Sequence, residues 1–201
     1  MEGNLDQVKI LLHKDANIQS RDQDGDSPLH LAALYGHTEV IQYLISQSAD
    51  IHSRGHHGRT PLMMAAENCK GEEIIPLLIA AKARVNDRDT ERESTALHIS
   101  CRYGTVGAVK ELLQGGGDVH MSDRFGVLPI HKAAVDGSVP KLEALIMHGA
   151  RANVTDQLGY TPLMAACWYG HVEAAEYLLT SHDAAVDQKV YWGGTTLHLA
   201  S

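Results

Sequence analysis

The chain has 201 residues, 44% of them hydrophobic and 21% charged, with a net charge of −8. That balance is globular and excludes a disordered chain. It also argues against a nucleic-acid binder, which needs a basic face to displace counterions, and no Lys/Arg run occurs.

Only one Phe and two Trp are present, so the core must be built from Leu, Ala, Ile, Val and Met. The three cysteines, Cys69, Cys101 and Cys167, form no CxxC pair and hence no disulfide or zinc framework. The opening "MEGNLDQVKI" has no apolar signal core, and no apolar run approaches the ~20 residues of a membrane helix. The expectation is an intracellular protein, cytoplasmic or nuclear, that does not insert into a membrane.

In chain order, residues 1–26 begin late in a structural unit. "GNLDQVKILLHKDANI" has the pattern of an amphipathic helix followed by a turn. "SPLHLAALYGH" then starts at Ser27, and the motif returns as "TPLMMAAENCK" at Thr60 and "TALHISCRYGT" at Thr95. It comes back again as "LPIHKAAVDGS" at Leu128, "TPLMAACWYGH" at Thr161 and "TTLHLAS" at Thr195. The starts lie 33, 35, 33, 33 and 34 residues apart, a period that marks a stacked-repeat protein. The units are 27–59, 60–94, 95–127, 128–160 and 161–194, with partial units 1–26 and 195–201 forming one array with them. The open ends lead us to expect a fragment of a longer protein.

Repetition decides against reading Ser27 and His30 as a nucleophile and base. The first position becomes Leu128 and the histidine becomes Met63 and Met164. Structural roles fit better. Ser27 or Thr60 caps a helix, with Pro28 or Pro61 at its first turn. Leu29, Ala32 and Ala33 share one helical face. Gly36, Gly104, Gly137 and Gly170 are placed to end the helix in a left-handed conformation. A second helix buries Val40, Ile41, Leu44 and Ile45. Asp123-Arg124-Phe125-Gly126 and Asp156-Gln157-Leu158-Gly159 are turn sequences. Helices of eight to ten residues do not persist alone in water, so the units must stack.

The unit from Thr60 is the least regular. Cys69 stands where the glycine is expected, one residue is inserted near Lys70-Gly71, and Pro76 lies within the second helix.

The TPLH-type start, Ala pair, Gly-His and Leu-Leu pair in "SPLHLAALYGHTEVIQYLISQSADIH" and "TPLMAACWYGHVEAAEYLLTSHDAAVD" resemble the ankyrin repeat over essentially the whole chain. The resemblance implies an all-α solenoid of helix-turn-helix units with β-hairpin-like fingers. It also implies a protein-interaction module or scaffold, with partners contacting the finger tips and the exposed side of the first helices. Those positions hold Tyr35, Arg92, Tyr103, Phe125, Leu158, Tyr160, Trp168, Tyr169, Tyr191 and Trp192, the expected partner-binding set. Asp24, Arg88, Asp89 and Arg92 are expected to add charge steering.

No nucleophile–base pair, phosphate loop or cofactor site is expected, and His52, His56 and His57 match no standard metal spacing. The competing expectation is a recruiting or regulatory arm of a larger enzyme or channel, its catalytic domain lying outside this chain.

Overall fold

The computed structural model describes residues 4–181 together with Lys189, Gly193, Gly194 and Thr196. Eleven α-helices follow one another among the described residues: α1 (Leu5–His13), α2 (Pro28–Tyr35), α3 (Thr38–Ser46), α4 (Pro61–Glu67) and α5 (Gly71–Ala80). They continue with α6 (Ala96–Tyr103), α7 (Val106–Gln114), α8 (Pro129–Asp136), α9 (Val139–Met147), α10 (Pro162–Trp168) and α11 (Val172–Ser181).

The helices form two layers. α2, α4, α6, α8 and α10 pack in succession as one layer, and α1, α3, α5, α7, α9 and α11 as the other. Each first helix also packs on the second helix of its own unit. The result is the expected all-α repeat stack. The fingers between units are tight turns without a regular strand in 4–181, each closed by a backbone bond such as Asp123 N–H to Val127 O (2.8 Å) or Asp156 N–H to Tyr160 O (3.0 Å).

The core is a continuous seam of small and aliphatic side chains. Leu29, Leu62, Leu97, Ile130 and Leu163 are each about 1% exposed or less, one per unit, and Ile41, Ile75, Leu112 and Leu142 lie in the second layer. The Ala pair is what brings the helices together. Ala65, Ala66, Ala133 and Ala134 are fully buried, and Ser100 and Cys101 take the same two places in α6. Burial among apolar atoms raises the Cys101 thiol well above its ordinary pKa, so it packs as a small apolar residue.

One core position departs from this chemistry. Lys141 stands in α9 where the other second helices carry Val40, Ile74, Ala108 and Ala174. It is 4% exposed. Its ammonium donates to Asp136 Oδ2 (2.9 Å) and to the Cys101 carbonyl (3.3 Å), a group in the last turn of α6 that has no helical partner. The buried charge is thus paired and hydrogen-bonded, as it must be to be tolerated.

Helix starts differ from expectation in an instructive way. Thr60 and Thr161 cap as expected, accepting from the backbone N–H of Met63 (3.4 Å) and Met164 (3.1 Å). Where a histidine occupies that fourth position, it takes over. Nδ1 of His30 accepts the Ser27 N–H (3.2 Å), and His98 and His131 do the same for Thr95 and Leu128. The imidazole therefore caps even where Leu128 has no hydroxyl. With Nδ1 accepting, Nε2 carries the hydrogen. It donates to the carbonyl of Arg59, Val127 or Tyr160, the last residue before the cap of the next first helix, each at 3.0 Å. One side chain caps its own helix and ties the following finger to it.

Helix ends also differ. Gly36, Gly137 and Gly170 have positive φ (75°, 77° and 73°) as expected, but Gly104 does not (φ −83°). Its glycine is required by proximity instead: a Cβ there would collide with the Ala66 carbonyl oxygen and approach Ser100 Cα to 2.9 Å. α5 runs through Pro76 unbroken. In the irregular unit Asn68 replaces the glycine-based ending, its Nδ2 donating to Leu34 O (2.5 Å) and its Oδ1 accepting from Lys70 N–H (2.7 Å).

Two predictions follow from this packing. Gly104→Ala should lose about 1–3 kcal/mol in urea denaturation, because the clash is with backbone on the facing helix. A neutral result would mean that α4 and α6 are looser than described. The histidines predict acid sensitivity. Burial lowers the pKa of His30 and His131, and brings His98 from 6.5 to about 4, against the opposing pull of the finger carbonyl that each imidazole holds. The unfolded chain then binds protons that the folded one refuses, so stability is full above pH ~6.5 and falls as the pH drops toward 4, by about 3 kcal/mol for His98 alone. His98→Met, the residue that two other units carry, should remove that share. Denaturation midpoints at pH 7.5, 6 and 5 check it, and an unchanged slope in the variant would count against the buried neutral imidazole.

Candidate protein-binding groove

Tertiary packing turns the sides of α6, α8 and α10 that face away from the second layer toward the fingers. Between them lies a groove of about 680 Å³. Five of the residues expected to bind a partner line it: Arg92 and Tyr160 from fingers, Tyr103 from the end of α6, and Trp168 and Tyr169 from the end of α10. Tyr103 is 64% exposed, Trp168 59% and Tyr169 53%. Val127, Val135 and Ala165 supply an apolar floor beside the edges of His98 and His131.

The rim is held rigidly. In each of four fingers an aspartate Oδ1 accepts two backbone N–H groups of its own turn. Asp89 takes those of Arg92 and Ser94, Asp123 those of Phe125 and Val127, and Asp156 those of Leu158 and Tyr160. Asp22 does so with Asp24 and Asp26. Neighbouring fingers are joined by backbone bonds from Thr90 N–H to His57 O (2.8 Å), Arg124 N–H to Arg92 O (2.8 Å) and Gln157 N–H to Phe125 O (3.1 Å). Asp89 is consequently 4% exposed and its carboxylate is committed to its own turn, so it does not act as the steering charge expected of it.

The remaining expected residues fall elsewhere. Phe125 (50% exposed) and Leu158 (59%) project from finger tips and do not line this groove. Tyr35 lines a second, more apolar groove of about 520 Å³ beside α1 and α2, with Val8, Leu11 and Leu31. Tyr191 and Trp192 lie outside the described residues.

The expected partner-binding set named Tyr103 but left out its neighbour Arg102. It is half-buried in the groove between two tyrosines, its guanidinium carbon 5.4 Å from the Tyr103 ring centre and 5.9 Å from that of Tyr169. A signal was present: among Leu34-Tyr35, Glu67-Asn68, Arg102-Tyr103, Val135-Asp136 and Trp168-Tyr169, the pairs at the ends of the first helices, only Arg102 is a cation. Its pairing with Tyr169, two units away, required the stack. His56 and His57 lie with rings 3.8 Å apart, facing Asp24 (3.9 Å) and Glu91 (3.5 Å) respectively. Among the described residues no three His, Cys, Asp or Glu side chains are grouped to hold a metal ion, and no helix is long and apolar enough to cross a membrane.

Stacked helix pairs with a rigid finger rim and an aromatic groove define a repeat solenoid built to present a surface. The family model "Ankyrin repeats (3 copies)" matches residues 1–89, 70–156 and 97–190, and the chain belongs to the ankyrin repeat family. Ankyrin repeats are in general non-catalytic protein-interaction modules. Among curated proteins, the chain is similar to the ankyrin repeat and KH domain-containing protein mask-1 of Caenorhabditis elegans, with 32% identity over 139 residues, 69% of this chain. The match spans 5% of that relative's length.

If the groove aromatics are surface residues and not packing, Trp168→Ala and Tyr103→Ala should each change stability by no more than about 0.5 kcal/mol. Leu97→Ala on the buried face of α6 should cost about 2–5 kcal/mol. Thermal and urea unfolding of the three variants checks this; a large loss for Trp168→Ala would return it to the packing of the stack.

Proposed function

We propose that the chain is a single interaction array that binds a partner protein in the groove formed by α6, α8, α10 and the fingers beside them. The observation that carries this reading is the gathering of exposed aromatic residues. In a chain with two Trp and one Phe, Trp168, Tyr103 and Tyr169 stand exposed around one concavity. Large aromatic anchors in a shaped, preformed site dominate the energy of protein interfaces, at about 2 kcal/mol or more each. The locked fingers support binding with little ordering cost. Phe125 and Leu158 extend the same surface toward the tips. The net charge of −8 supports a protein and not a nucleic-acid partner. The free Cys69, Cys101 and Cys167 support work in a reducing, intracellular compartment.

Quantitative capture from cell lysate tests the proposal with three proteins of matched circular dichroism. These are the unmodified chain, Tyr103→Ala/Trp168→Ala/Tyr169→Ala in the groove, and Phe125→Ala/Leu158→Ala at the tips. Specific partners should be depleted at least tenfold on the groove variant and less on the tip variant. Equal recovery on all three would move the binding surface away from both.

A further inference from the structure

The geometry points to Arg102 as the residue that selects the partner: it receives one Asp or Glu side chain, presented within an otherwise apolar, extended protein segment. This inference rests on the groove reading and adds the chemistry of what enters the groove.

The first observation is a missing counter-charge. Four cations line the groove. Arg59 faces Glu67 (2.6 Å), Arg92 faces Glu91 (3.8 Å) and Lys132 faces Asp123 (3.3 Å). Among the described residues no carboxylate lies within ion-pair distance of Arg102, and its guanidinium makes no hydrogen bond with the protein. The groove's own carboxylates are engaged. Asp89 and Asp156 bind the backbone of their turns, and Glu91 lies between Arg92 and His57.

The second observation is preorganisation. Tyr103 and Tyr169 flank the Arg102 guanidinium from two helices. Such stacking restrains a side chain that would otherwise lose considerable rotamer freedom on binding. A guanidinium has five donors and no acceptor, and its fork matches a carboxylate with two parallel bonds. Its partial burial strengthens that pair relative to one in open water.

Charge also limits the partner. The chain's net charge of −8, with Glu91 at the rim, repels a strongly acidic segment. One positioned carboxylate avoids that repulsion, and apolar neighbours on the segment then cover Val127, Val135 and Trp168. A phosphorylated side chain would bring more negative charge to the same rim.

The test is selection of a randomised, displayed twelve-residue peptide library on the full chain, followed by affinity measurement with synthetic peptides. Wild-type protein should enrich one Asp or Glu beside an aromatic or aliphatic residue. Arg102→Gln should weaken those peptides at least tenfold. The Asp→Asn or Glu→Gln peptide should bind wild type and Arg102→Gln alike, the coupling that a merely structural Arg102 would not produce. Arg102→Lys should recover part of the loss. Absence of an acidic preference, or equal affinity of the selected peptides for Arg102→Gln, overturns the assignment and leaves the groove standing. Tighter, Arg102-dependent binding of a phosphoserine version also overturns it, in favour of phosphate. Selected peptides that bind Tyr103→Ala/Trp168→Ala unchanged, or a library that yields no groove-dependent binder, overturn the groove reading itself and this inference with it.

Discussion

Among the described residues no helix is long enough to stand alone, and everything else depends on that constraint. Helices of seven to ten residues do not pay their nucleation cost in water, so each unit persists only through contact with its neighbours. Two devices make the contact close. Small residues at Ala65-Ala66, Ser100-Cys101 and Ala133-Ala134 let helices approach to backbone distance, close enough that Gly104 has no room for a Cβ beside Ala66. The buried imidazoles of His30, His98 and His131 then satisfy polar groups on two sides, capping one helix and holding the carbonyl of the finger that follows. Apolar burial supplies the driving force, and the hydrogen bonds fix the register at which it is realised.

The same logic explains where the pattern is allowed to vary. At Thr60 and Thr161 the imidazole is replaced by methionine, and the threonine hydroxyl resumes the cap. In α9 a lysine enters the core because Asp136 and the Cys101 carbonyl wait for its ammonium. In the irregular unit Asn68 reaches back to Leu34 O. His171 does the equivalent for Val135 O at the last described junction (3.1 Å). Each substitution keeps the helix termini satisfied while changing the side chain that does it. The array conserves the hydrogen-bond ledger of its backbone and is free in the residues that close it.

Rigidity at the rim is what connects this framework to recognition. Asp22, Asp89, Asp123 and Asp156 spend their carboxylates on the finger turns, so the tips are shaped before any partner arrives. Arg102 is the exception within the groove, with its charge left open between two tyrosines. This combination of a shaped rim, an apolar floor and one open charge is what supports the proposed mostly apolar partner segment.

The sequence alone determined the period, the two-helix unit, the turn sequences and the aliphatic–alanine core, because each rests on local spacing that recurs five times. The resemblance its repeats carry also put Tyr103, Trp168 and Tyr169 on the exposed side at the ends of the first helices, and all three are exposed. Only the tertiary structure decided which of them share a groove. Arg102 and Tyr169 meet across two units, and Phe125 and Leu158, legible as finger tips, turn out to lie beyond that groove. Burial decided the rest. Asp89 reads as a surface charge, yet its turn encloses it, and Gly104 reads as a left-handed helix end, yet it is needed for a close approach. Local pattern sets conformation and face; which groups are enclosed, paired or left open depends on contacts between units that no single repeat contains.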